Sequence, residues 1–194
     1  MDEPRGVILA PRTVFQGRIF SVHADRVRLP NGHETTMEVV RHAGSVVLVP
    51  MPDPEHVILV KQYRYAVDRW IWELAAGSLE PGEDPEAGAA RECQEEIGLV
   101  PGRIERIGVF LPTPGYCDEV MNFYKLTKLT APVPGSPIAQ QDADEDLRVE
   151  TFGLDDLRRL IGSGEILDLK TAVGIALLRE LQSDDGDAPG VGTG

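Results

Sequence analysis

The sequence is poor in cysteine, in long apolar runs and in positive charge. Only two cysteines occur among 194 residues. Neither Cys93 nor Cys117 lies in a CxxC or Cys/His cluster, which disfavours a disulfide framework and a structural zinc site. No apolar run approaches the roughly eighteen residues that a membrane span needs. The first residues, MDEPRGVILAPR, contain no apolar signal-peptide core, so the predicted location is the cytoplasm.

The shortage of basic residues has its own consequence. Lysine and arginine number 19 against 32 acidic residues, and the formal net charge is −13 at pH 7. Nucleic-acid-binding proteins carry a basic face, so a nucleic-acid partner is disfavoured. The acidity serves either solubility alone or the binding of divalent cations, through which an anionic substrate would bind. Only clustering of the carboxylates separates these two interpretations.

Strand patterns dominate the first part of the chain. Residues 14–29 alternate apolar and polar types, and the Asn-Gly pair at 31–32 predicts a hairpin turn into residues 34–41. Two nearly continuous apolar runs follow, at 45–50 and 57–61. We expect them to form a hairpin that is buried on both faces.

A change of period from 2 to 3.6 marks a helix near the middle of the chain. Asp84-Pro85 is typical of a helix start and Gly98 of a helix end, which predicts a helix from Pro85 to Ile97. The order of strands and helices predicts an α/β (α+β) fold, an α/β/α sandwich around a mixed sheet. The remaining predicted elements are strands at 70–75, 104–111, 120–129 and 148–152, a short helix from Leu154, and an amphipathic helix at 168–181.

Three carboxylates stand close together in the predicted helix. Glu92, Glu95 and Glu96 lie at i, i+3 and i+4 and would share one face. Ala90, Cys93 and Ile97 would form the neighbouring stripe that packs on the sheet. Like charges at this spacing repel each other, so a merely solvated surface explains the cluster poorly. Hard cations with oxygen ligands, Mg²⁺ or Mn²⁺, explain it well.

The segment from Gly77 to Leu99 matches the pattern G-x5-E-x7-R-E-U-x-E-E-x-G-U, where U is aliphatic and Cys93 takes the first U position. It resembles the Nudix box, and the chain is identified on these residues as similar to Nudix hydrolases. The resemblance implies a Nudix-type sandwich and two or three Mg²⁺ or Mn²⁺ ions per site. It also implies roles for single residues: Glu92, Glu96 and the backbone carbonyl of Ala76 as metal ligands, Glu95 in support, and Arg91, paired with Glu83, as the residue that orients the glutamates.

Four further stretches resemble the ADP-ribose and nucleotide-sugar pyrophosphatase subgroup of that family. They are Gln62-Tyr63-Arg64, the approach from Glu73 to Gly77, the stretch from Pro112 to Gly115, and the stretch from Asp168 to Thr171. The resemblance implies that Arg64 binds the diphosphate, that Glu73 holds the substrate or Arg64, and that Pro114 lies at the substrate site. Arg41 is a second candidate for substrate binding and could equally be an ordinary surface arginine.

The subgroup also carries a catalytic glutamate on a downstream loop. The matching acidic stretch is residues 142–147, and the resemblance places the glutamate at Glu145, with the neighbouring acids as alternatives. Trp70 and Trp72 share one face of a predicted strand, where sheet packing is favoured over base stacking.

Three parts of the chain are expected. Residues 1–42 form a strand and hairpin arm, residues 43–182 the Nudix domain, and residues 183–194 a disordered tail. The arm resembles those that relatives exchange between subunits, which implies a homodimer. The alternative is an edge hairpin that packs on its own domain.

Hydrolysis of ADP-ribose to AMP and ribose 5-phosphate is the first expectation for the function. The same chemistry on another nucleoside diphosphate sugar, such as GDP-mannose, is the alternative. An alternative of another class is a Nudix-fold ligand-binding or regulatory module without turnover. The complete set of box glutamates and the absence of a basic extension count against that module.

Overall fold

The computed structural model describes residues 3–134 and 147–184, with side chains described as far as residue 178. No helix within these ranges is long and apolar enough to cross a membrane. The described strands and helices are β1 (Val7–Ala10), β2 (Thr13–Gln16), β3 (Phe20–Arg28), β4 (Glu34–His42), β5 (Ser45–Pro50), β6 (His56–Arg64), β7 (Arg69–Glu73), β8 (Ala76–Ser78), α1 (Pro85–Glu92), β9 (Arg103–Phe110), β10 (Met121–Thr127), β11 (Arg148–Gly153), α2 (Leu154–Ser163) and α3 (Leu169–Asp184).

The first four strands form an antiparallel sheet around β3. Strand β4 pairs with one edge of β3, while β1 and β2 follow one another along its other edge. The single strand predicted over residues 14–29 is wrong, because the chain reverses at Gly17, whose N–H donates to the carbonyl of Phe20 at 2.9 Å. The predicted Asn31-Gly32 hairpin is confirmed. Gly32 has a φ of +85°, a conformation that glycine adopts without strain.

Two further sheets form the centre of the molecule. One has the strand order β8-β5-β10-β9 and the other β11-β6-β7. Strands β5 and β10 are parallel and the remaining pairs antiparallel, so the first of these sheets is mixed. The predicted hairpin between residues 45–50 and 57–61 is wrong, since β5 and β6 belong to different sheets. Both runs are buried as expected. A continuous apolar run reports burial and carries no information about the pairing partner.

Strand β5 separates two hydrophobic cores. Val46 and Leu48 pack with Ala89 of α1 in one core, whereas Val47 and Val49 pack with α2 and α3 in the other. Successive side chains of a strand point to opposite faces, so one fully buried strand serves both cores. Helices therefore cover both sides of the central sheets. The predicted α/β/α sandwich is confirmed.

The central helix begins and ends where the sequence predicts, but its last turn is not α-helical. The carboxylate of Asp84 accepts hydrogen bonds from the first turn, and Gly98 ends the helix with a φ of +75°. Between them, Cys93–Ile97 form one π-helical turn after α1. Its wider hydrogen-bond ring changes which side chains share a face.

The predicted apolar stripe of the helix packs largely as expected. Cys93 is fully buried in the core that contains Ala89, and Ile97 packs against the same core. Glu92 and Glu96 are also buried, whereas Glu95 is half-buried. The helix therefore buries two of its three carboxylates, which their spacing in the sequence does not predict.

Candidate active site

The carboxylate of Glu92 lies directly over the backbone of Gly77. A Cβ atom added to Gly77 would lie 1.9 Å from the Glu92 carboxyl carbon, so no other residue leaves room for this contact. Gly77 is held in place by β8, which pairs with β5 through Ala76 and Val47. Glu92 and Glu96 are only 7% and 9% exposed. The box thus presents two buried carboxylates one helical turn apart, beside a short strand.

Arg91 connects the box helix with the loop before it. Its Nε and Nη2 donate to the two carboxylate oxygens of Glu83, both at 2.9 Å, which is the predicted pair. Its Nη1 donates at 2.7 Å to Glu92 and at 2.7 Å to Glu95. These hydrogen bonds, that with Glu83 foremost, raise the pKa of Arg91. A bidentate guanidinium fixes geometry as well as charge, so Arg91 orients both helix glutamates.

A second ion-pair group, here called the Arg64 cluster, consists of Arg64, Glu73, Asp168 and Lys170. Arg64 Nε donates to Glu73 Oε1 at 2.7 Å, and Lys170 Nζ donates to Glu73 Oε2. Lys170 also lies 3.2 Å from Asp168 Oδ2. Glu73 is 2% exposed, and each of its oxygens is bound by a different cation. A buried carboxylate requires such pairing, because a lone charge away from water is costly.

The start of α3 is fixed to the chain beside Glu73. Thr171 donates its hydroxyl to Asp168 Oδ2 at 2.5 Å and accepts the N–H of Leu74 at 2.8 Å. The N–H of Thr171 also donates to Asp168, so Asp168 caps the helix. A Cβ added to Gly174 would lie 2.4 Å from Leu74 Cδ1, which shows how closely α3 approaches β7. The position of Lys170 is therefore set by the packing of α3.

Arg64 links this cluster with the box. Burial lowers its pKa, but the hydrogen bond and charge of Glu73 and the charges of Glu96 and Asp168 raise the pKa above its ordinary value. The side chain is 42% exposed. Among the described residues its only hydrogen-bond partner is Glu73, through Nε, so the two terminal nitrogens can receive a phosphate in a bidentate fashion.

Arg41 lies in a different environment. Its Nη1 donates to Asp118 at 3.1 Å and its Nη2 to Asp25 at 3.4 Å. Asp25 is 2% exposed and also accepts the N–H of Arg12, which is the first cause of its lowered pKa. Both terminal nitrogens of Arg41 are therefore engaged. This arginine connects β3 with the loop after β9.

The loop that carries Pro114 is bound to β4. The N–H of Val40 donates to the carbonyl of Tyr116 at 2.7 Å, and Asp118 donates back to Val40 at 3.2 Å. Pro114 is exposed on this loop. The same segment continues to Glu119, which accepts the hydroxyl of Ser45 at 2.8 Å. Pro114 thus lies on the loop whose Asp118 binds Arg41, and no hydrogen bond or ion pair described for Arg41 reaches the Arg64 cluster.

The two tryptophans differ in their burial. Trp72 packs edge-on against Phe152 with ring centroids 5.0 Å apart and joins the core beneath α2 and α3. The ring centroids of Trp70 and Tyr63 are 5.9 Å apart, and the guanidinium of Arg148 lies above the Trp70 ring, which is 44% exposed. Core packing therefore accounts for Trp72, and for Trp70 it stays a prediction.

The metal prediction can be compared with the donor atoms present. No three His, Cys, Asp or Glu side chains within residues 3–134 and 147–178 surround one point as they stand, and Arg91 binds both Glu92 and Glu95. The donor chemistry nevertheless fits a hard divalent cation. Glu92 and Glu96 are buried oxygen donors, and Glu92 lies in the space that Gly77 leaves beside Ala76.

Glu145 lies outside the described residues, so its predicted role stays a prediction. Sequence reasoning assigned no role to Lys170, Asp168 or Asp118. Asp168 carries a readable signal, an acid before the first turn of an amphipathic helix. Lys170 lies in the stretch from Asp168 to Thr171 that resembles the subgroup, but its contact with Glu73 spans 97 positions and cannot be read from that stretch.

The fold and the site define a class of protein: an α/β/α sandwich with buried box glutamates and an arginine, Arg64, that is held by a buried glutamate. A model of the NUDIX domain matches residues 41–169, and a model of the nucleoside diphosphate sugar hydrolase N-terminal domain matches residues 8–40. The chain belongs to the Nudix hydrolase family.

Curated relatives align over most of their length. An ADP-ribose pyrophosphatase of Bacillus subtilis (strain 168) is 34% identical over 88% of this chain and 91% of the relative. A methanol dehydrogenase activator of Bacillus methanolicus is 32% identical over 86% of this chain and 88% of the relative. An ADP-ribose pyrophosphatase of Mycobacterium tuberculosis (strain ATCC 25618 / H37Rv) is 34% identical over 86% of this chain and 80% of the relative. The crystal structure of an ADP compounds hydrolase shares the fold, with a TM-score of 0.80 and 22% identity over 97% of this chain and 100% of that one.

Proposed function

We propose that this protein hydrolyses the diphosphate bond of a nucleoside diphosphate sugar in a reaction that requires Mg²⁺ or Mn²⁺, and that ADP-ribose is its substrate. The products would be AMP and ribose 5-phosphate. Two relatives at 34% identity are named for ADP-ribose, and the N-terminal match is to a nucleoside diphosphate sugar hydrolase domain. These names support the substrate class.

One structural observation carries the proposal: the box contains two buried carboxylates, Glu92 and Glu96, while the described residues leave both terminal nitrogens of Arg64 unbound. Glu96 contributes to the electrostatic environment of Arg64, although 32 residues separate them in the chain. Carboxylates that hold cations and a guanidinium that binds phosphate are the two elements that diphosphate cleavage requires. A non-catalytic module would need only the second.

The proposed roles of the residues follow from their contacts. Glu92, Glu96 and the carbonyl of Ala76 would hold the metal ions, which when bound polarise the phosphoryl oxygens and lower the pKa of a water molecule. Arg91, which Glu95 also binds, keeps Glu92 in place. Arg64 would bind the diphosphate while Glu73 holds its Nε. Glu145 remains the proposed catalytic glutamate.

The contacts of Arg41 and Pro114 support a lesser role at the substrate. Both terminal nitrogens of Arg41 are bound to carboxylates, so a direct grip on phosphate would require one ion pair to open. We therefore assign the diphosphate to Arg64. Arg41 and Pro114 shape the loop beside the box approach.

The test is a panel of nucleoside diphosphate sugars, including ADP-ribose and GDP-mannose, with Mg²⁺ or Mn²⁺. Coupled phosphatase treatment then releases inorganic phosphate from the products. We expect ADP-ribose to give the highest kcat/KM and chelation by EDTA to abolish turnover. Preference for another sugar would reassign the substrate, and no turnover of any panel member by folded protein would contradict the enzyme function.

The homodimer and the three-part division of the chain also belong to this proposal. Large apolar side chains are exposed along the N-terminal sheet, including Val7, Ile8, Phe15 and Phe20. Burial of such a surface favours association. The two family models meet at residues 40 and 41, which supports the boundary at 42. Light scattering after gel filtration would show a dimer mass, and a monomer would contradict the arm exchange. The cytoplasmic location stays a prediction.

A further inference from the structure

The two oxygens of Glu73 are divided between two cations from different parts of the chain. Oε1 accepts Arg64 Nε at 2.7 Å, and Oε2 accepts Lys170 Nζ. Arginine and carboxylate otherwise favour a bidentate pair, in which two guanidinium nitrogens bind both oxygens. Lys170 occupies the oxygen that a second Arg64 nitrogen would need. The occupied oxygen explains why Arg64 contacts Glu73 through Nε alone.

The charges in the Arg64 cluster also indicate that Lys170 affects Arg64. Lys170 is 9% exposed and Glu73 2%, so solvent screens their interaction little. Lys170 shares the negative charge of Glu73 with Arg64. Without the lysine, Arg64 alone would neutralise that carboxylate, and its guanidinium would present less positive charge to an anion.

The position of Lys170 is fixed independently of Arg64. Thr171, its neighbour, is fully buried and accepts the N–H of Leu74, while Gly174 allows α3 to pack against the Leu74 side chain. Residues 73 and 74 are thus contacted by one turn of α3 at three points. A lysine placed by helix packing can act on Glu73 without any contribution from substrate.

From this geometry we propose, in addition to the function proposed above, that Lys170 is a positioning residue for diphosphate binding. It holds Glu73 Oε2 and thereby keeps the terminal nitrogens of Arg64 available for the substrate. Lys170 itself does not touch the diphosphate. Its effect on affinity must therefore pass through Arg64.

The experiment is a double-mutant cycle of Arg64→Ala and Lys170→Met. The probe is an ADP-ribose analogue with a methylene group in place of the bridging diphosphate oxygen, and its Kd is measured by calorimetry with Mg²⁺. We expect Lys170→Met to raise Kd about tenfold in the presence of Arg64, within the range for residues that share one network. On the Arg64→Ala background it should raise Kd less than about twofold. With ADP-ribose, KM should rise similarly while kcat is kept, as for an interaction made equally in the ground and transition states.

Two variants separate positioning from loss of stability. Lys170→Gln keeps a donor for Glu73 Oε2 without the charge, and serves if Lys170→Met does not fold; it should raise Kd less than Lys170→Met. Lys61→Met is the matched control, because Lys61 lies on the same strand as Arg64 but above the ring of Trp72 at 5.5 Å. Its Kd should equal that of the wild type.

Several outcomes would overturn the inference: an unchanged Kd in both Lys170 variants, an equal increase with and without Arg64, or no binding of the analogue by the wild type. Failure of the proposed function is distinguishable. If the wild-type protein binds the analogue but hydrolyses no nucleoside diphosphate sugar, the proposed function is contradicted. The double-mutant cycle in Kd would still decide the role of Lys170.

Discussion

The box and the Arg64 cluster are both built from arginine and glutamate, but they are assembled in opposite ways. In the box, Arg91 reaches Glu83, Glu92 and Glu95, all within eight positions of itself. In the Arg64 cluster, the ion pair between Glu73 and Lys170 spans 97 positions. One site is made by a single helix and its preceding loop, and the other by two strands and the first turn of α3.

The difference decides how each site tolerates change. A local site keeps its geometry as long as its helix forms, and its side chains can be altered singly. A long-range site depends on the packing that brings its parts together, so changes in the core reach it as well. Variants in the two regions should therefore separate activity from stability, in the order of effect given below.

The largest effect is expected in the box. Glu96→Gln removes a charge that acts mainly in the transition state and should lower kcat by at least about 10²-fold. The free energy of unfolding should change little, because the amide has the same shape. Steady-state kinetics with ADP-ribose give the first quantity and urea titration the second. Glu105→Gln, at an exposed pair with Arg103, is the control. Near-normal kcat in Glu96→Gln would mean that the metal site is misassigned.

A smaller loss of activity is expected from Gly77→Ala. The new methyl group would take the place of the Glu92 carboxylate, which must then move by more than an ångström. Misplacement of a catalytic group by this distance can lower the rate about 10²-fold. We therefore expect kcat to fall by a factor between about 10 and about 10². Since the displaced atoms end a flexible side chain, Tm should fall only slightly. Gly162→Ala has open space around its Cβ, so its kcat should be unaffected. An active Gly77→Ala enzyme would contradict the role of Glu92.

A substitution beside the Arg64 cluster should lower the stability of the protein more than its activity. Thr171→Val leaves the N–H of Leu74 without its acceptor and removes the hydroxyl that donates to Asp168, which keeps the backbone N–H of residue 171 as a donor. An unsatisfied buried group costs about 1–3 kcal/mol, and the loss should be seen in the free energy of unfolding from urea titration. KM should rise moderately as the start of α3 loosens. Thr130→Val, an exposed threonine, is the control. Unchanged stability would show that α3 is not fixed at this point.

The smallest effect concerns the two thiols. Burial raises the pKa of Cys93 to about 12, whereas Cys117 is only half-buried. A thiol without thiolate is unreactive, so a disulfide reagent at pH 8 should label one cysteine in the folded protein and two after denaturation. Cys117→Ser should then show no rapid labelling. Rapid labelling of Cys93 in the native state would mean that the box helix opens readily.

The sequence predicted the elements of this fold better than their pairing. The bounds of α1 together with its π turn, and of β9, β10, β11 and α2, agree with the predicted segments to within a few residues. The strand over residues 14–29 failed at Gly17, where an alternating pattern continues through a turn. The pairing of β5 with β6 failed because both runs are apolar on both faces and either could pair with any buried strand.

In the site, too, the sequence predicted local contacts better than distant ones. The contact of Arg91 with Glu83 follows from neighbouring positions on a loop and a helix, and it could be read from the box. The burial of Glu92 and Glu96 could not, because it depends on how the helix packs against distant parts of the chain. The role of Glu73 was anticipated through its neighbour Arg64, while Lys170 was missed as its partner.

By itself, the sequence determined the family, the class of fold and the local chemistry of the box, since these depend on residues a few positions apart and on helical and strand periods. The tertiary structure decided which strands pair, that the carboxylates of Glu92 and Glu96 are buried, and that Lys170 reaches Glu73. Contacts between distant segments follow from how helices and sheets pack, and packing is a property of the whole core rather than of any stretch of residues.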